Sequence, residues 1–190
     1  VITALEWAAA GLGLLGVILG FQQRRLTWLA WLLSSLLYLG LTWHWSLFGQ
    51  SLVMAAFVAV CVWGYARWGR SAAIGVVAPT RGIVMLSIGL SLLLAVGLAV
   101  WLEAAGSVSP VLDASIAALS LWAMVWTARK HEACWLIWLL VNLLSMGLYA
   151  AQALWPTVGL YGVQAILSGV GLMRWRAMHH VPAPPSQMTT

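Results

Sequence analysis

The polar residues that could do chemistry in this chain are few, and they lie inside long apolar runs. Asn142 follows Trp138 by four positions, so on a helix the two share one face. An indole offers a flat surface for a planar ring, and a carboxamide both donates and accepts hydrogen bonds. Gln164 is a second amide in an apolar run, with Tyr161 three positions before it. Tyr38 follows Ser35 by three, and Tyr149 follows Asn142 by seven. Each has a plain packing reading, and for Asn142 that reading is an interhelical clamp. The functional reading is a site that stacks a ring and grips its polar substituents. Covalent catalysis finds no footing. There is no Gly-rich phosphate loop, no serine elbow and no metal-spaced His/Asp/Glu set. Cys61 and Cys134 match neither a metal spacing nor a disulfide framework and read as apolar packing residues. His44 and His131 fall in connections and His179-His180 in the tail, where solvated or interfacial histidine is expected.

The elements that must position these residues follow from composition. Of the 190 residues, 63% are hydrophobic and 7% charged, against about 25% charged in a soluble domain. Continuous apolar blocks of the length a bilayer-spanning helix needs cover residues 5–21, 26–43, 47–66, 83–102, 111–128, 133–151 and 156–173. A membrane barrel would alternate polar and apolar residues instead. The expectation is an all-α membrane protein of seven spanning helices.

The net charge of +5 does not point to nucleic acid, because the basic residues are divided among short connections. Arg24 and Arg25 follow the first block. Arg67, Arg70 and Arg81 lie between the third and fourth, Arg129 and Lys130 follow the fifth, and Arg174 and Arg176 follow the seventh. All nine then lie on one side, with Glu6, Glu103 and Asp113 on the other and Glu132 the exception. The positive-inside rule makes the basic side cytoplasmic, with the N-terminus outside and the C-terminus inside. Residues 5–21 lack a basic n-region and carry their Arg pair after the apolar run, the order of an N-out anchor rather than a signal peptide. The chain opens on Val, so its natural start is left open. Residues 178–190, rich in proline, read as a disordered cytoplasmic tail. Among the 14 Trp, Trp43, Trp45, Trp101, Trp155 and Trp175 read as interfacial belt residues.

An offset of 107 positions superposes two segments without a gap. Trp28-Leu-Ala-Trp31-Leu-Leu-Ser-Ser35 falls on Trp135-Leu-Ile-Trp138-Leu-Leu-Val-Asn142. Gly40 meets Gly147, Gly64 meets Gly171, Arg67-Trp68 meets Arg174-Trp175, and Glu6 meets Asp113. Both copies carry basic residues after their first and third helices, so both start on the same side. An odd number of helices must separate them. The organisation expected is a 3+1+3 parallel repeat: residues 1–70 as the first three-helix unit, 71–107 as linker and inverter helix, and 108–177 as the second unit. In such repeats substrate sites lie near the midplane at the repeat interface. The symmetry would bring Trp31 and Trp138 to opposite walls of one axis. Asp113 and Glu6 open their helices, where a carboxylate complements the helix dipole; attraction of a cationic substrate is the other reading.

The second half resembles the PnuC-type nicotinamide riboside transporters. The residues that carry the likeness are Asp113-Ala-Ser-Ile, Thr127-Ala-Arg-Lys130 and the Trp-x-x-Trp-x-x-x-Asn element from Trp135 through Trp138 to Asn142, with Trp63-Gly64-Tyr65-Ala-Arg-Trp68 similar in the first half. The resemblance covers about residues 5–176. It implies a fold like that of the sugar-transporting SWEET proteins and uptake of nicotinamide riboside, a B-type vitamin, by facilitated diffusion, with retention by phosphorylation in the cytoplasm. It implies no cofactor and no enzymatic activity, an inner (plasma) membrane location, the bilayer and a vitamin or nucleoside as partners, no nucleic acid, and leaves self-association open. Trp138 and Asn142 match the family's motif directly. With the repeat and face arguments, the expected substrate residues are Trp31, Ser35, Tyr38, Asp113, Trp135, Trp138, Asn142, Tyr161 and Gln164. The chain departs from the family where Ala133-Cys134 replace Glu-Asn, where Met54 and Cys61 replace a Gln and an Asn, and where Val170 replaces an Asn. Thiamine or riboflavin is therefore an alternative substrate, and a scaffold that binds nothing is an alternative of another class.

Overall fold

A computed structural model describes residues 2–44, 48–70, 75–107 and 109–179. The expectations for Trp45 and for residues 180–190 of the tail lie outside them. The described residues form seven α-helices: α1 (Ile2–Phe21), α2 (Leu26–His44), α3 (Phe48–Arg70), α4 (Arg81–Ala104), α5 (Pro110–Ala128), α6 (Cys134–Ala151) and α7 (Trp155–His179). Each is long and apolar enough to span a membrane. In lipid a helix is favoured because it satisfies its own backbone hydrogen bonds.

The helices close into a ring. α1 packs on α2 and α7, α3 on α2 and α5, and α6 on α5 and α7. α4 stands outside this ring, packed on α5. It has the highest mean hydropathy, 2.6, yet only 6% of it is buried within the protein, so most of its apolar surface points away from the rest of the chain.

The two three-helix units match in detail at the 107-residue offset. Gln23 and Lys130 both take the left-handed conformation, with φ of 56° and 57°. In the first unit Gln23 N–H donates to Gly20 O, Arg24 N–H to Leu19 O and Thr27 N–H to Arg24 O. In the second, Lys130 donates to Thr127 O, His131 to Trp126 O and Cys134 to His131 O. The same turn thus joins the first two helices of both units. Gly64 and Gly171 repeat as well. A Cβ on Gly64 would come within 2.5 Å of the Trp28 ring, and one on Gly171 within 2.5 Å of the Trp135 ring. Each glycine therefore admits an indole flat against its helix. These equivalences are consistent with a 3+1+3 repeat.

The main core lies at the end of the ring that carries the basic residues. Trp28, Trp68, Trp135 and Trp175 are buried there. Trp28 meets Trp68 edge-on with centroids 5.5 Å apart, and Trp135 meets Trp175 edge-on at 5.5 Å. Trp68 and Trp175, themselves related by the offset, face each other at 6.5 Å. Trp175 is fully buried, at 0% exposure, which corrects its reading as a belt residue. α7 continues two turns past the last apolar block, turning the Trp175 indole inward while Arg174 lies 4.8 Å from the Phe21 ring centroid. Trp43, Trp101 and Trp155 are exposed, as belt residues are. His131 is also corrected: it is buried, with its ring 5.6 Å from that of Trp126. Val77 accounts for this. It exchanges backbone hydrogen bonds with Lys130 O and Glu132 N, laying the α3–α4 connection over the α5–α6 turn.

Candidate substrate site

Each side chain of the central cavity is fixed by a local arrangement that the helices impose. Trp31, on α2, donates its indole N–H to Gly13 O of α1 at 3.1 Å. Gly16 makes room, since a Cβ there would sit 2.2 Å from the Trp31 ring. Trp138, on α6, donates instead to Thr127 Oγ1 of α5 at 3.2 Å. The two indoles meet across the axis with centroids 5.9 Å apart and planes at 46°. One turn further along α6, Asn142 is buried and donates from Nδ2 to Ser168 Oγ of α7 at 3.2 Å. Ser168 in turn donates to Gln164 O at 2.8 Å. The interhelical clamp considered for Asn142 is therefore present, and it uses one of the two amide hydrogens. In the first unit the equivalent positions are held by Ser35 and Cys61, both buried.

These residues surround a cavity of about 210 Å³. Its walls are built from pairs related by the 107-residue offset: Trp31 with Trp138, Ser35 with Asn142, Val17 with Met124, Met54 with Tyr161, and Phe57 with Gln164. A cavity lined by both members of five pairs sits on the axis between the two units. The frame repeats but the chemistry does not. The second unit contributes two amides and a tyrosine where the first has a hydroxyl, a phenyl ring and a thioether.

Of the nine residues expected at the site, eight line this cavity: Trp31, Ser35, Tyr38, Trp135, Trp138, Asn142, Tyr161 and Gln164. Asp113 does not. It lines a neighbouring cavity of about 220 Å³ that shares Met54, Phe57 and Tyr161 with the first. Gly13, Ser34, Phe57, Met124 and Ser168 also line the central cavity and were not among the expected site residues. Ser34 is tied to Ala9 O at 2.8 Å. Met54 stands in the wall where the resemblance led to an expected amide. Cys61 is buried but not part of the lining, and Tyr149 stacks on Tyr161 at 5.4 Å and 11°. Among the described residues, no Lys, Arg, His, Asp or Glu lines the central cavity.

A seven-helix membrane protein with an aromatic and amide-lined cavity at the interface of two similar units has the construction of a membrane transporter. The chain belongs to the family described as nicotinamide mononucleotide transporter, whose model matches residues 3–177. This is a transport family, not an enzyme family. A curated relative, the "Nicotinamide riboside transporter PnuC" of Neisseria mucosa, is 28% identical over 156 residues, covering 77% of this chain and 59% of the relative. The chain thus spans about 59% of that relative's length. Among solved structures, "Crystal structure of the Vitamin B3 transporter PnuC" has a similar fold. The TM-score is 0.76 at 23% identity, over 93% of this chain and 82% of that one.

Proposed function

We propose that this protein mediates uptake of nicotinamide riboside by facilitated diffusion. The observation that carries this reading is the lining of the central cavity: indoles at Trp31 and Trp138, amides at Asn142 and Gln164, hydroxyls at Ser35, Tyr38 and Tyr161, and no charged side chain among the described residues. The indoles suit a flat nicotinamide ring. The amides and hydroxyls suit a carboxamide and a ribose. A phosphate would enter without a cation to neutralise it, at a large desolvation cost. The riboside named for the curated relative therefore fits this lining better than the mononucleotide in the family's description. At about 210 Å³ the cavity also falls below the usual size range of ligand pockets, which favours one aromatic ring over the three-ring system of riboflavin.

In this reading the units at 1–70 and 108–177 rock about the cavity to give alternating access, Asp113 stands on the approach, and the basic end faces the cytoplasm of a bacterial-type inner membrane. The test is uptake of labelled nicotinamide riboside into proteoliposomes, with nicotinamide mononucleotide, thiamine and riboflavin as competitors. Saturable uptake inhibited only by unlabelled riboside is expected. A folded protein without saturable uptake overturns the reading, and strong competition by thiamine or riboflavin reassigns the substrate.

A further inference from the structure

The cavity beside the central one lies at the opposite end of the ring from the basic residues. It is framed by the start of α3 at Gln50, the end of α4 at Trp101, the start of α5 at Asp113 and the end of α6 at Tyr149. The helices that begin or end here bring Glu6, Glu103 and Asp113 to this end and no Lys or Arg. Of the three carboxylates only Asp113 lines the cavity. Its Oδ2 accepts a hydrogen bond from Ser107 Oγ at 2.7 Å, which fixes the side chain. Across the cavity Tyr149 and Tyr161 stack, and Tyr161 also lines the central cavity.

We propose that this second cavity is a vestibular binding site for a cationic aromatic ring, with Asp113 supplying the charge and Trp101 and Tyr149 the aromatic faces. The proposal rests on the transport reading and deepens it. Nicotinamide riboside carries its positive charge on the pyridinium ring. A carboxylate in a recess with apolar walls attracts such a ring more strongly than one on an open surface, and aromatic faces add cation–π attraction. An anion meets the opposite field. Tyr161, Met54 and Phe57 are walls of both cavities, so a ring held at Asp113 is one step from Trp138. A purely structural role for Asp113 also has grounds, since it lies in the first turn of α5, at the positive end of the helix dipole.

The two roles separate in initial-rate uptake of nicotinamide riboside by cells producing the full chain. Asp113→Asn retains an acceptor for Ser107 and removes the charge. The expected result is a KM raised roughly threefold to tenfold, the range of one partly screened charge contact, with maximal rate unchanged. Asp113→Glu, which restores the charge, should recover most of the loss. The wild-type KM should rise with ionic strength, as a screened attraction does, and that of Asp113→Asn should not. An unchanged KM in Asp113→Asn overturns the vestibule, and so does a salt dependence equal to that of the wild type. A lower maximal rate at constant KM would assign Asp113 a structural role and also overturn it. Wild-type cells without saturable uptake would overturn the transport reading itself, a result separable from all of these.

Discussion

Asn142 is held by Ser168, yet it stands in the wall of the cavity with half of its donor capacity unspent. Clamp and ligand contact are therefore compatible, and substitutions separate them. Asn142→Ala should weaken riboside binding about tenfold, or about 1.4 kcal/mol. Ser168→Ala, which removes the clamp and leaves the amide, should lower the melting temperature with a smaller loss of affinity. Trp138→Ala should cost about 1–3 kcal/mol of binding through lost ring stacking. Ligand-induced shifts in melting temperature measure all three, and equal shifts in wild type and Asn142→Ala would remove Asn142 from the site. Eight of the cavity's residues were legible in the sequence because a four-residue step fixes a shared helix face and because an amide in an apolar run is conspicuous. Ser168 was not legible. A serine bonded to its own helix backbone costs little in such a run, and only packing reveals its partner on α6. Asp113 was assigned to the same site because spacing along one helix says nothing about which of two adjacent cavities the helix end meets.

At the scale of the elements, spans and their order were readable from apolar length alone. Their ends were not always: α3 and α7 run on past their apolar blocks, to Arg70 and His179. Trp68 and Trp175 turn inward there, and hydropathy does not distinguish a tryptophan facing the headgroups from one facing a neighbouring helix. The glycines make the same point. Gly40/Gly147 and Gly64/Gly171 are equally good markers of the repeat in sequence, but only the second pair is pressed against indoles. Gly64→Ala and Gly171→Ala should each destabilise the protein by about 1–3 kcal/mol through overpacking. Gly40→Ala and Gly147→Ala, with nothing within 4 Å of the added Cβ, should not destabilise it. Thermal unfolding in detergent checks the pattern, and equal effects at all four would refute the close-approach argument.

The turn between α5 and α6 adds a pH dependence. Burial lowers the His131 pKa from its ordinary value, and Arg129 and Arg67 push it further the same way, while a hydrogen bond to the Val77 backbone opposes them. Burial also lowers the pKa of Lys130, whose Nζ lies 5.4 Å from the Trp68 ring centroid. For His131 the folded state binds its proton more weakly than the unfolded state. Stability should therefore be fully present above the ordinary histidine value of about 6.5 and fall as the pH drops through the lower folded value. His131→Phe keeps a ring against Trp126 and removes the titration. Its melting temperature should vary less than the wild type's between pH 7 and pH 5, and parallel curves for the two would exclude His131 as the cause.

For the whole molecule, the sequence pattern and the ring of helices agree on which segments share an end. Arg24 and Arg129 follow, and Arg67 and Arg174 lie near the ends of, helices that finish at the Trp28–Trp68–Trp135–Trp175 core. The place of α4 outside the ring is consistent with an odd helix between two similarly oriented units. The direction of the bundle in the membrane is a separate matter, set by the charges: moving Lys or Arg across a bilayer is costly, and basic connections stay cytoplasmic. Cys61 and Cys134 are both buried, so single cysteines introduced at exposed turns give a clean readout. Ala104→Cys and Gln152→Cys, at the ends of α4 and α6, should react with a membrane-impermeant thiol reagent in intact cells. Arg24→Cys, in the first basic turn, should react only after the membrane is opened. The reverse pattern would invert the molecule. It would then put Asp113 and its cavity on the cytoplasmic side, where they would meet substrate on exit rather than on entry.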